Sequence, residues 1–160
     1  MKNTSLCYLE SEGKYLMLHR ISKQNDENAG KWIGIGGKFE EGESPEECVR
    51  REVKEETGLT LDRASFRGIV TFTDSNEKGI TTEYMFLFTS SDFSGTLTPC
   101  NEGVLEWIPK SEIHKLPLWE GDHVFLNLLE AGSPFFSLKL CYSNGSLCEV
   151  YLNGSKQQNL

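Results

Sequence analysis

The chain has 160 residues, of which 25% are charged and 38% hydrophobic, proportions that exclude a disordered or fibrous protein and fit one folded domain over 1–160. A formal charge of −8 excludes the basic stripe that a nucleic-acid polymer needs, yet leaves room for a small phosphate ligand bridged by a cation. Cys7, Cys48, Cys100, Cys141 and Cys148 form an odd set with no Cys-x-x-Cys pair, and charges interrupt every apolar run. Reduced thiols, no membrane span and a cytoplasmic location are therefore expected.

In chain order, Ser5–Leu9 and Lys14–Arg20 read as two strands around the polar turn ESEG. Ser22–Lys31 is a polar loop, and WIGIGGKFEEGE carries four glycines, too many for a regular element. That stretch reads as a strand end running into a turn built from backbone. A helix follows it. Phe66–Thr73 and Thr82–Thr89 are β-branched and aromatic runs separated by DSNEKGI, and Val104–Ile108 is a further strand. KSEIHKL predicts a short helix and Asp122–Glu130 a longer one, with Val124, Phe125, Leu128 and Leu129 on its core stripe. Asn144-Gly145, between two strand-like runs, is the strongest hairpin signal. The economical fold class is α/β with a mixed β-sheet.

The first helix is well marked. Ser44 is a good N-cap, Pro45 suits the first turn, Glu47 completes a capping box, and Gly58 suits the C-terminal cap. At 100° per residue, Glu52, Glu55 and Glu56 share an arc of roughly 100°. Val49 and Val53 mark a core stripe beside it, with Cys48 at its flank. Like charges so spaced repel by a few tenths of a kcal/mol per pair, so something must offset them. Two readings stand at this point: a solvated acidic face, or a carboxylate group for a hard cation such as Mg²⁺. Arg51 has the spacing to pair with Glu43 or Glu55.

The stretch from Gly37 to Leu59 resembles the Nudix box, G-x5-E-x7-R-E-U-x-E-E-x-G-U with U aliphatic, at every position: Gly37, Glu43, Arg51, Glu52, Val53, Glu55, Glu56, Gly58 and Leu59. The resemblance implies an α/β/α sandwich that hydrolyses nucleoside diphosphates linked to another moiety, with Mg²⁺ or Mn²⁺. It implies metal binding by Glu52 and Glu56, helped by Glu55 and by the carbonyl of Gly36 or Gly37. It further implies an acidic ligand or general base from a loop, for which Glu102 in CNEGVLEWIP is the match. Glu55, Glu56 and Glu102 are thus the implied catalytic group, with the proton taken by either Glu55 or Glu102. An exposed turn residue is the other reading of Glu102.

Among Nudix groups the MutT-type 8-oxo-dGTP diphosphatases look most similar, through LMLHR, GKWIGIGGK, CNEGVLEWIP and LWEGDHVF. That likeness implies phosphate contacts from Arg20 and Lys38, and a base pocket of Phe72, Trp119 and Asp122. A surface salt bridge for Arg20, core packing for the two aromatics and a helix cap for Asp122 are the plainer alternatives. Gly121 and Ile33 stand where that group carries base-reading polar residues. A pyrophosphatase for another NTP, a dinucleoside polyphosphate or ADP-ribose is the nearest alternative, and a non-catalytic nucleotide- or metal-binding module the next. A monomer or homodimer acting on a small nucleotide is expected.

Overall fold

The computed structural model describes residues 1–21 and 28–158, so most of the predicted polar loop, positions 22–27, lies outside the described residues. β1 (Lys2–Ser11) and β2 (Lys14–Arg20) turn on Glu12 and Gly13. β3 (Trp32–Ile33) and β4 (Ile35–Lys38) come from the glycine-rich stretch and lead into α1 (Pro45–Thr57). β5 (Thr60–Asn76), β6 (Gly79–Ser94) and β7 (Gly103–Pro109) follow, then a 3₁₀ turn (Lys110–Lys115) and α2 (Glu120–Glu130). β8 (Phe136–Ser143), β9 (Ser146–Leu152) and β10 (Ser155–Lys156) end the described chain.

The strands join in the order β10-β9-β8-β5-β6-β1-β2-β3, with β4 on β1 and β7 on β2. β1 runs parallel to β6, and β5 parallel to β8, while the other pairs are antiparallel. The sheet is mixed, as the sequence predicts. Alternation along the strands makes two cores. Cys7 and Leu9 of β1, with Leu16 and Leu18 of β2, pack against Val49 and Val53 of α1. Tyr8, Tyr15 and Met17 face the other way, toward Phe125, Leu126 and Leu129 of α2. Helices therefore cover both faces, and the fold is the α/β/α arrangement. Among the described residues no helix is long and apolar enough to cross a membrane.

Three details depart from the sequence-based expectation. β5 and β6 run well past the predicted strands, because the polar ends pair with each other: Thr60 lies opposite Ser94 and Asn76 opposite Gly79. Composition does not mark such ends, since their side chains stand in solvent. The buried stripe of α2 is Gly121, Asp122, Phe125, Leu126 and Leu129, leaving Val124 and Leu128 partly buried at its border. The helix starts two residues earlier than predicted, so Gly121 and Asp122 join its buried face. Asn144 and Gly145 do form the β8–β9 turn, both with positive φ.

Candidate active site

The local geometry of α1 places the glutamates. Ser44 Oγ accepts the Glu47 N–H at 3.1 Å, and Glu47 Oε1 accepts the Ser44 N–H at 3.0 Å, so the capping box closes in both directions. Gly58 ends the helix at φ 79°, a conformation that favours glycine, and its N–H donates to Lys54 O. With both ends set, Cys48, Val49 and Val53 are sealed against the sheet, and Glu56 goes in with them at 8% exposure.

Arg51 offsets repulsion along the helix by pairing with Glu52 and Glu55. Its Nε lies 2.6 Å from Glu43 Oε2, and its Nη1 lies 2.8 Å from Glu52 Oε1 and 3.2 Å from Glu55 Oε2. Nη2 donates to Glu43 Oε1 and to Lys38 O, each at 2.9 Å. Arg51 thus pairs with both expected partners and ties the β4–α1 connection to the helix. The guanidinium's hydrogen bonds to Glu43 hold that carboxyl down at about 2.

Among the described residues, no cation pairs with Glu56. Its Oε2 accepts the Gly36 N–H at 3.1 Å, on the glycine-rich strand. Burial first, then a hydrogen bond shared with the Glu102 carboxyl and the charge of Glu52, push Glu56 up to about 9. Burial also raises Glu52, against the pull of Arg51. Glu102 comes in from the turn before β7 and pairs with Arg20 Nη1 at 3.2 Å. Gly37 completes the cluster by lacking a side chain: a Cβ there would lie 2.6 Å from the Glu52 carboxyl carbon. The structure therefore gathers Glu52, Glu56 and Glu102 against Gly36 and Gly37. Glu55 stays at the rim, with its side chain 56% exposed and held by Arg51.

Among the described residues, no group of three or more acidic, histidine or cysteine side chains stands close enough together to hold a metal ion by itself. The donors nevertheless suit a hard cation: all are oxygen, they crowd one another's charge, and Mg²⁺ characteristically takes one or two carboxylates and completes its shell with water and substrate phosphate. Glu52, Glu56 and Glu102, with the Gly36 or Gly37 carbonyl, are the residues that would hold it.

A cleft of about 1010 Å³ lies beside this cluster, lined among others by Arg20, Gly36, Gly37, Lys38, Phe72, Trp119 and Asp122. Every residue predicted to touch substrate thus borders one space. Arg20 does so while paired to Glu102, so the salt bridge and the cleft position coexist. Trp119 Nε1 donates to Asn28 Oδ1 at 2.7 Å, and Lys31 Nζ sits 5.1 Å from its ring centre. Asp122 is not the helix cap; the N-cap is Trp119, whose side chain makes no capping bond. Asp122 is instead buried in the first turn, and burial, then the charge of Glu83, push it up to about 8.

Three further lining residues escaped the sequence reading. Asn28 fixes Trp119, Tyr142 stands edge-on to the same ring at 6.0 Å, and Glu83 accepts from Thr4 Oγ1 at 2.6 Å. Asn28 is one polar residue in a polar loop, and the other two are ordinary strand residues. None carries a local signal.

Comparison with known proteins agrees with this geometry. Residues 2–129 match the NUDIX domain family. The chain is 31% identical over 134 residues to a Bacillus subtilis protein named uncharacterized Nudix hydrolase YvcI, covering 82% of this chain and 81% of that one. It is 31% identical over 107 residues to the oxidized purine nucleoside triphosphate hydrolase of Mus musculus, covering 67% of each. The crystal structure of the mutator MutT protein from Bacillus halodurans superposes with a TM-score of 0.86 at 27% identity, covering 96% of this chain and 98% of that one. A capped helix that buries Glu56 against Gly36, inside a segment matching over most of its length, leads to one conclusion: the chain belongs to the Nudix hydrolase family.

Proposed function

We propose that this Nudix hydrolase cleaves an oxidised purine nucleoside triphosphate, 8-oxo-dGTP foremost, to the monophosphate and pyrophosphate, in the cytoplasm and with Mg²⁺ or Mn²⁺. The observation that carries the reading is one cleft that Arg20, Lys38, Phe72, Trp119 and Asp122 all line, together with Gly36 and Gly37, the glycines against which the carboxylates gather. The likeness to the mouse hydrolase supports the substrate class, and removal of such nucleotides would keep damaged bases out of DNA.

Each residue then has a task that its surroundings suit. Glu52, Glu56 and Glu102, helped by Glu55 and the Gly36 or Gly37 carbonyl, would hold the cation, which would supply charge to neutralise the polyphosphate and to polarise water. Lys38 and Arg20 meet phosphate oxygens as point charge and fork. Trp119, pinned by Asn28, offers a stacking face worth about 1–3 kcal/mol to any base. Asp122 adds the selectivity: with its carboxyl pushed up to about 8 it keeps its proton near neutrality and donates to an acceptor on the base. The two candidates for general base, Glu55 and Glu102, are each paired with an arginine at 3.2 Å, Glu55 with Arg51 at the exposed rim and Glu102 with Arg20 beside Glu56.

A panel of nucleotides with product identification tests this. Pyrophosphate and monophosphate are expected, with kcat/KM higher for 8-oxo-dGTP than for dGTP. Equal values for the two would replace the reading with a general NTP pyrophosphatase. Thermal stabilisation by nucleotide with no product released in Mg²⁺ would mark a binding module instead.

A further inference from the structure

The β8–β9 hairpin lies beyond the segment 2–129 that matches the family, yet its Tyr142 lines the cleft. Tyr142, on β8, is 7% exposed and borders the cleft beside Trp119 and Phe72. Its ring meets Trp119 edge-on at 90°, with centres 6.0 Å apart, and lies 6.5 Å from Phe72. Its hydroxyl accepts the N–H of Gly121 at 2.8 Å, one residue before Asp122. The same hydroxyl accounts for the glycine. A Cβ at position 121 would lie 2.8 Å from Tyr142 Oη and 2.6 Å from Leu140 Cδ1, so the hairpin occupies the space a larger side chain would need. A second tie joins the two elements, from the Leu147 N–H to Glu120 Oε1 at 3.2 Å.

A tyrosine hydroxyl has one proton to give and lone pairs to receive. Gly121 uses a lone pair; among the described residues nothing accepts the proton. Burial holds the phenol well above its ordinary value, so that proton stays in place. An uncommitted buried donor on the wall of a binding cleft is costly until a ligand supplies an acceptor. Asp122, its carboxyl also protonated near neutrality, adds a second donor close by. An edge of donors fits the carbonyl of a 6-oxopurine and not the amino group of a 6-aminopurine.

We propose that Tyr142 is a specificity-determining residue: its hydroxyl donates a hydrogen bond to the 6-carbonyl of the purine, so that the C-terminal hairpin selects 6-oxo over 6-amino bases. This rests on the purine triphosphate reading given above. Tyr142→Phe keeps the ring and removes only the donor. Steady-state kinetics on 8-oxo-dGTP and 8-oxo-dATP, with pyrophosphate as product, are then compared with wild type. Wild type should prefer 8-oxo-dGTP, and Y142F should lose about tenfold in kcat/KM on that nucleotide, mostly through KM. The value for 8-oxo-dATP should stay within about twofold, so the preference collapses. An equal loss on both nucleotides, an unchanged ratio, or no preference in wild type would overturn the proposal and leave Tyr142 as packing. Thermal unfolding checks that Y142F is folded. If it is not, Gly121→Ala displaces the hydroxyl from the other side; the same collapse supports the proposal and an unchanged ratio overturns it. Should wild type release pyrophosphate from neither nucleotide, the triphosphate reading itself falls, and this one with it.

Discussion

Glu56 shows how one residue comes to be chemically poised. It is placed by helical spacing four residues after Glu52, but its character comes from burial beside two other carboxyls, which pushes it up to about 9. Among the described residues, the backbone group bonded to its carboxyl is the Gly36 N–H. In Glu56→Gln the amide oxygen still accepts that N–H, so the fold should persist while the carboxylate is lost. The expected result is a kcat at least about 10²-fold lower, the scale of removing one group that stabilises the transition state. Steady-state kinetics beside a thermal unfolding scan would check it, and a variant within a few-fold of wild type would remove Glu56 from the mechanism. The residue's spacing is legible in sequence. Its raised affinity for a proton is not, because that depends on Glu102 arriving from another part of the chain.

At the scale of the element, α1 is a cassette whose parts are mostly local. The capping box, the αL glycine and the four-residue spacing of Val49 and Val53 all act within the helix, which is why the sequence predicts it nearly to its ends. Arg51 is the part that reaches outward, to Glu43 and to Lys38 O across the β4–α1 connection. Its fork geometry matters, since one guanidinium serves Glu43, Glu52, Glu55 and a carbonyl together. Arg51→Lys keeps the charge but not the fork. Activity should drop about 10- to 100-fold, as when the partner orienting a ligand carboxylate is lost. The cation concentration giving half-maximal rate should rise as well, and a titration with Mg²⁺ measures it. An unchanged half-saturation point would show that Arg51 does not orient the acidic cluster. The strands are less legible than the helix: β5 and β6 owe their polar ends to each other, not to their own composition.

For the whole molecule, two buried acids set the response to pH. Glu56 rises from 4.5 to about 9, and Asp122 from 3.8 to about 8. The folded chain therefore holds protons that the unfolded chain has already released. Their stabilising effect is complete below the unfolded values and is lost as pH rises through the folded ones. In a chelator, Tm should fall between pH 6 and pH 9, and less steeply in Glu56→Gln. Mg²⁺ should restore more at pH 9 than at pH 6, because a ligand carboxyl must first give up its proton. Thermal scans at several pH values, with and without cation, check both; a Tm that climbs over this range in chelator would contradict the assignment.

The sequence by itself determined what short-range physics determines. The Nudix spacing, the caps of α1, the mixed α/β class and the Asn144-Gly145 turn all follow from neighbours within a few residues. The family likeness pointed to Glu102, but only the tertiary structure decided that it would pair with Arg20 while lying against Glu56, that Asn28 would pin Trp119, and that Tyr142 would fill the space beside Gly121. Those contacts join residues far apart in the chain. They exist because β7 pairs with β2, and β8 runs parallel to β5, and no local pattern of side chains encodes where such strands will meet.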